Sequence, residues 1–175
     1  MKRVVGLAVG LSVIASLAFV AAVPLTASSS ARPVLTFDSF VGVSGHFLGS
    51  EMPLRGVSGG GLPWVIASGT AKLKANGELA VEVDGLVIDP SNATAQTKGL
   101  AGVNPAPYFF ATLSCVDNSG AVTNVNTNPV PATASGNAKL DQMLTLPSSC
   151  FAPILLVRGS FSGSPSGPWF AVSGF

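Results

Sequence analysis

Beyond residue 32 the apolar positions come in short runs rich in Val, Leu, Phe and Thr, each broken by Gly, Pro, Asn or Ser. That pattern predicts strands, at residues 34–37, 40–47, 64–68, 86–88, 108–116, 121–126, 154–161 and 169–175. No window there holds a helical period of useful length. Residues 137–146 come nearest, but Ala138, Leu140, Gln142 and Leu144 also alternate as a strand does.

The clearest element is a hairpin over residues 70–83. A two-residue Asn76-Gly77 turn would set Lys74 opposite Leu79 and mix polar with apolar side chains. A three-residue loop, Ala75-Asn76-Gly77 with Gly77 left-handed, instead sets Lys74 against Glu78, Leu73 against Leu79 and Ala71 against Val81. One face is then apolar and the other carries an ion pair, as a half-buried sheet requires. Asp117-Asn118-Ser119-Gly120 reads as a tight turn. Residues 89–107 and 127–136 read as long polar loops, where a site is best sought. Many short strands with no helices imply an all-β fold: a single-domain antiparallel sandwich, with a small β-barrel as the alternative.

Residues 1–31 differ in kind. Lys2 and Arg3 give a basic start, Val4 to Val23 carries no charge, Pro24 ends the run, and small residues follow from Ala27 to Ala31. These are the marks of a signal helix and a peptidase site, so the segment is expected to be cut after residue 27 or 31. A membrane anchor formed by residues 4–23 is the alternative, since about 20 apolar residues suffice to span a bilayer. Gly6, Gly10, Ser12 and Ser16 dilute the run, and no basic flank follows it, which favours cleavage. Residues 32–175 are left as a single β domain, secreted and touching a membrane only if the leader stays attached.

Charge narrows the partners. Without Lys2 and Arg3 the chain holds seven basic residues against eight acidic ones, with no basic cluster. Nucleic acid is therefore excluded as a partner, because phosphate must be neutralised. Cys115 and Cys150, an even pair in an exported chain, are expected to form a disulfide.

Candidate chemistry is sparse. Gly56-Val57-Ser58-Gly59-Gly60 satisfies G-x-S-x-G, but the only histidine, His46, precedes Ser58 and no helix signal follows. A flexible loop is the better reading, with a small hydrolase built on Ser58 or on a carboxylate pair as the alternative. His46 alone supplies no zinc set. The eight acids form no calcium loop, and turn chemistry and solvation account for most of them. Neither a metal nor a cofactor is expected. Binding potential lies with Trp64, Trp169, Tyr108 and Phe109, since aromatic faces suit sugar rings and protein hot spots. In an all-β domain such residues are also core formers, and Tyr108 and Phe109 must point to opposite faces of their strand. Asn92-Ala93-Thr94 is a glycosylation sequon, and a terminal Phe175 is shared with outer-membrane barrel strands, although the strands here are short for tilted spans.

Residues 55–64 (Arg-Gly-Val-Ser-Gly-Gly-Gly-Leu-Pro-Trp), Asn104-Pro-Ala-Pro107 with Ser114-Cys115, and Leu146-Pro-Ser-Ser-Cys150 with Ala152-Pro153 resemble a group of uncharacterised small secreted bacterial proteins. The resemblance implies export and paired cysteines and carries no activity. Together these readings predict a non-enzymatic binding or surface-interaction module for an extracellular ligand: a glycan, a protein or a small apolar molecule. A carrier holding a small apolar ligand in its cavity is the second reading.

Overall fold

The structure, a computed structural model, describes residues 33–173. The expected signal helix and the final Phe175 lie outside them. Among the described residues no helix is long and apolar enough to cross a membrane.

Alternation builds the first sheet. Strands β1 (Pro33–Phe37), β4 (Ser68–Lys74), β5 (Glu78–Asp84) and β10 (Ala138–Met143) pair antiparallel in the order β1-β4-β5-β10. Ala71 and Leu73 on β4, Leu79, Val81 and Val83 on β5, and Leu140 on β10 are buried. Thr70, Lys72, Glu82, Lys139 and Asp141 between them are exposed. The hairpin has the expected register, with Leu73 opposite Leu79 and Ala71 opposite Val81. Lys74 donates to Glu78. Gly77 turns the corner at φ +91°, and its carbonyl accepts from the Leu144 amide at 2.8 Å. A Cβ on Gly77 would meet the Leu144 carbonyl, so both space and conformation demand glycine there. Residues 138–143 resolve as strand, and the helical reading falls away.

The second sheet runs β2-β12-β11-β7-β8, formed by β2 (Phe40–Gly42), β7 (Tyr108–Val116), β8 (Val122–Asn126), β11 (Phe151–Ser160) and β12 (Trp169–Ser173). A short β9 (Val130–Pro131) also pairs with β7. Here the central strands are buried on both faces. On β7 the apolar Phe109, Ala111, Leu113 and Cys115 alternate with Phe110, Thr112 and Ser114, and all seven are shielded from solvent. Two connections supply the extra cover. The 161–167 loop receives Arg158, which donates through Nε to the Gly167 carbonyl at 2.9 Å while its guanidinium lies 4.8 Å from the Phe110 ring centroid. Residues 45–61 form a strap held against β12, with Gly60 donating to Trp169 and Trp169 donating to the Ser58 carbonyl.

The two sheets are joined by short crossings rather than closed into a barrel. Only Asp38 and Ser39 separate β1 from β2. At the other corner the Gln142 amide acts as a substitute strand, accepting from the Asn128 amide and donating to its carbonyl. The fold is thus an all-β antiparallel sandwich, with a two-stranded ribbon of β3 (Trp64–Val65) and β6 (Val87–Ile88) beside it. Cys115 and Cys150 are disulfide-bonded.

Several boundaries differ from the sequence reading, among them that of β11, which begins at Phe151 rather than at Ile154, and the 127–136 loop, which holds β9. The 40–47 strand stops at Gly42, because Gly45 adopts φ +59° and opens a 3-10 turn, Gly45–Phe47. The 64–68 strand splits, since Trp64–Val65 pairs with β6 whereas Ser68 begins β4. Residues 89–107 hold a five-residue helix, α1 (Ala93–Thr97), too short to show a period. Asn92 caps it, its side chain accepting from the Ala95 amide at 3.0 Å, so the sequon asparagine has a structural task.

Candidate functional site

The four aromatic candidates separate. Trp64 is 4% exposed, Trp169 3% and Phe109 0%, whereas Tyr108 is half-buried. Trp64 stacks on Phe170 with centroids 3.7 Å apart, and Phe109 meets the same ring edge-on at 6.2 Å. Gly159 makes this possible, because a Cβ there would run into the Phe170 ring. Trp169 receives the edge of Phe47 at 6.1 Å. Three of the four aromatics are therefore buried within the packing.

A cleft of about 330 Å³ lies where this stack reaches the surface. Trp64 and Phe170 form its floor, and Leu62, Pro105 and Pro168 its sides. Phe161, 60% exposed, stands at its edge with Lys98. Local chemistry in the 89–107 loop places Lys98 and Pro105. Asp89 accepts from the Ser91 amide and hydroxyl, setting up the Asn92 cap, and Lys98 is the C-cap of α1. The amide of Gly102 then donates to Ile88, and buried Asn104 donates to the carbonyls of Ala106 and Thr133. The Ser91 contacts hold the Asp89 carboxyl below its ordinary pKa.

The residues that open this cleft were not singled out by sequence reasoning. Phe161 had a readable signal: it ends a predicted strand and runs into Ser-Gly-Ser-Pro-Ser-Gly-Pro, small residues that offer little to cover a ring. Lys98 and Pro105 had none beyond their place in a long loop. A second open cleft, of about 460 Å³, lies between Leu35–Ser39 of the β1–β2 crossing and Ala152-Pro153.

His46 Nδ1 sits 3.2 Å from Glu51 Oε1, and no hydrogen bond joins it to Ser58. Ser58 lies on an extended segment whose carbonyl is taken by the Trp169 amide, not on a strand-turn-helix elbow. Among the described residues no group of His, Cys, Asp or Glu side chains is placed to hold a metal ion. No family model, no curated protein and no solved structure matches this chain.

Proposed function

We propose that this chain is an exported, non-enzymatic binding or surface-interaction module whose contact surface is the cleft edged by Phe161. Export rests on the basic, apolar and small-residue order of residues 1–31, on the resemblance to small secreted bacterial proteins, and on the disulfide, which suits an oxidising compartment. The observation that carries the binding reading is the exposed Phe161 ring beside an aromatic floor with one cation at the rim. Rings and prolines present area at small entropy cost, and Lys98 favours an anionic group. The partner best suited to it presents a ring, aromatic or sugar, next to an acid.

Calorimetric titration with benzoate-type aromatic acids and with uronic-acid oligosaccharides tests this. The expected result is saturable binding that Phe161→Ser and Lys98→Glu each weaken by about tenfold, the scale of a hot-spot truncation. Absence of saturable binding at millimolar ligand, or binding that both variants leave unchanged, overturns it. The carrier reading has less support, since Leu79, Leu113, Leu140 and Leu155 fill the space between the sheets. Native mass spectrometry of protein taken from its own host separates the two: a bare chain favours the module, a retained small apolar mass the carrier.

A further inference from the structure

The tip of the 45–61 strap breaks a local rule. Leu54 and Val57 exchange backbone hydrogen bonds of 2.9 Å around a two-residue turn whose central residues, Arg55 and Gly56, have φ +52° and +79°. A turn of that hand favours Asn, Asp or Gly at its first central position. Arginine is costly there, and its side chain shows what it gains. Arg55 Nη2 donates to the Ala152 carbonyl at 2.9 Å, and the Arg55 carbonyl accepts from Asn124 Nδ2 at 3.0 Å.

Ala152 is the other non-glycine residue with positive φ among the described residues, at +42°. It sits where the β11–β7 register shifts between Phe151 and Ile154, and it lies two residues beyond Cys150. The chain around it is fixed on one side by the disulfide together with the Phe151–Val116 pairing, and on the other by pairing from Ile154 onward. Two strained residues thus grip each other beside a covalent link, and such strain persists only while its surroundings over-determine it.

We infer that Arg55 and Ala152 form a redox-sensitive latch: the Cys115–Cys150 disulfide holds the Ala152 carbonyl in place, and reducing it releases the strap tip. The co-reactant is a dithiol. Its thiolate attacks the sulfur of Cys150, the exposed partner, forming a mixed disulfide and expelling the Cys115 sulfur, which takes up a proton in the core. The second thiol then displaces Cys150, so the reductant leaves as a disulfide and the protein keeps two thiols. Freed of the link, Ala152 relaxes to negative φ and its carbonyl turns away from Arg55.

Limited trypsin digestion reads the latch, because the Arg55–Gly56 bond becomes a substrate only when the guanidinium is free. The protein purified from its host is digested oxidised and in dithiothreitol. Cleavage after Arg55 is expected to be roughly tenfold to a hundredfold faster on reduction, as befits losing a hydrogen bond from a charged donor. The bonds after Lys72, Lys139 and Arg158, all within strands, should stay intact. Arg55→Lys keeps a trypsin site but not the planar grip, and should be cut at the same bond with the disulfide intact. Equal cleavage in both redox states overturns the latch, as does a resistant Arg55→Lys protein. Strand bonds cut together with the strap also overturn it, since they mark the disulfide as a staple of the whole fold.

Discussion

The outward faces of the two sheets meet different fates. On the β4–β5–β10 side Lys72, Glu82, Lys139 and Asp141 face water, and the Lys139–Glu82 pair at 3.0 Å is well exposed. On β7 the face bearing Phe110, Thr112 and Ser114 is as dry as the one bearing Phe109 and Leu113. The difference lies in the connections. The 75–77 turn of the first sheet is too short to fold back, whereas the 45–61 strap and the 161–167 loop lie over the second. A sheet covered on both sides needs apolar residues at nearly every position, and β7 and β11 read that way. The cover is imperfect, for among the described residues the buried Ser114 Oγ, Trp169 Nε1 and Arg55 Nη1 have no hydrogen-bond partner.

The contrast can be broken at several places. Phe110→Ala should destabilise by about 3–5 kcal/mol in a denaturant melt, as a true core position does. Lys72→Ala on the wet face should stay within about 0.5 kcal/mol. Equal losses for the two would mean that the strap and loop do not seal the second sheet. Replacing Cys115 and Cys150 together by Ala opens a link between residues 35 apart and should cost about 4 kcal/mol on the chain-entropy account, read as a lower midpoint. Ser114→Ala removes an unpaired buried hydroxyl and should raise stability by about 1 kcal/mol, where the same change at a bonded hydroxyl would lower it.

Acid should act through the rims. Lys74 holds Glu78 below its ordinary 4.5, and Ser119 together with backbone amides holds Asp117 below 3.8. Depressed carboxyl pKa values stabilise the fold above the unfolded values, and the gain is lost as pH falls through the folded ones. Unfolding midpoints should therefore drop below about pH 4, less so in Glu78→Gln. On the basic side Glu82 raises Lys139 above 10.5, so its contribution fades only above that pH.

The hairpin was legible down to its register because alternation, turn chemistry and charge pairing all act within 14 residues. The break after Gly42 was not, since it depends on Gly45 taking a left-handed φ that the residue permits without requiring. Trp64 and Trp169 stood out as aromatic, yet no local pattern says whether a ring lies under another segment. Phe161 escaped notice for the converse reason: it ends an ordinary strand run, and the small residues of the 162–168 segment leave its ring bare.

By itself, then, the sequence determined the all-β class, most strand positions, the hairpin register and the pairing of two cysteines, because short-range periodicity and residue chemistry act over a few positions. Tertiary structure alone decided which faces are dry, which aromatics reach the cleft, and that Arg55 meets Ala152. Those outcomes depend on segments 97 residues apart and more being laid over one another, and that placement comes from global packing.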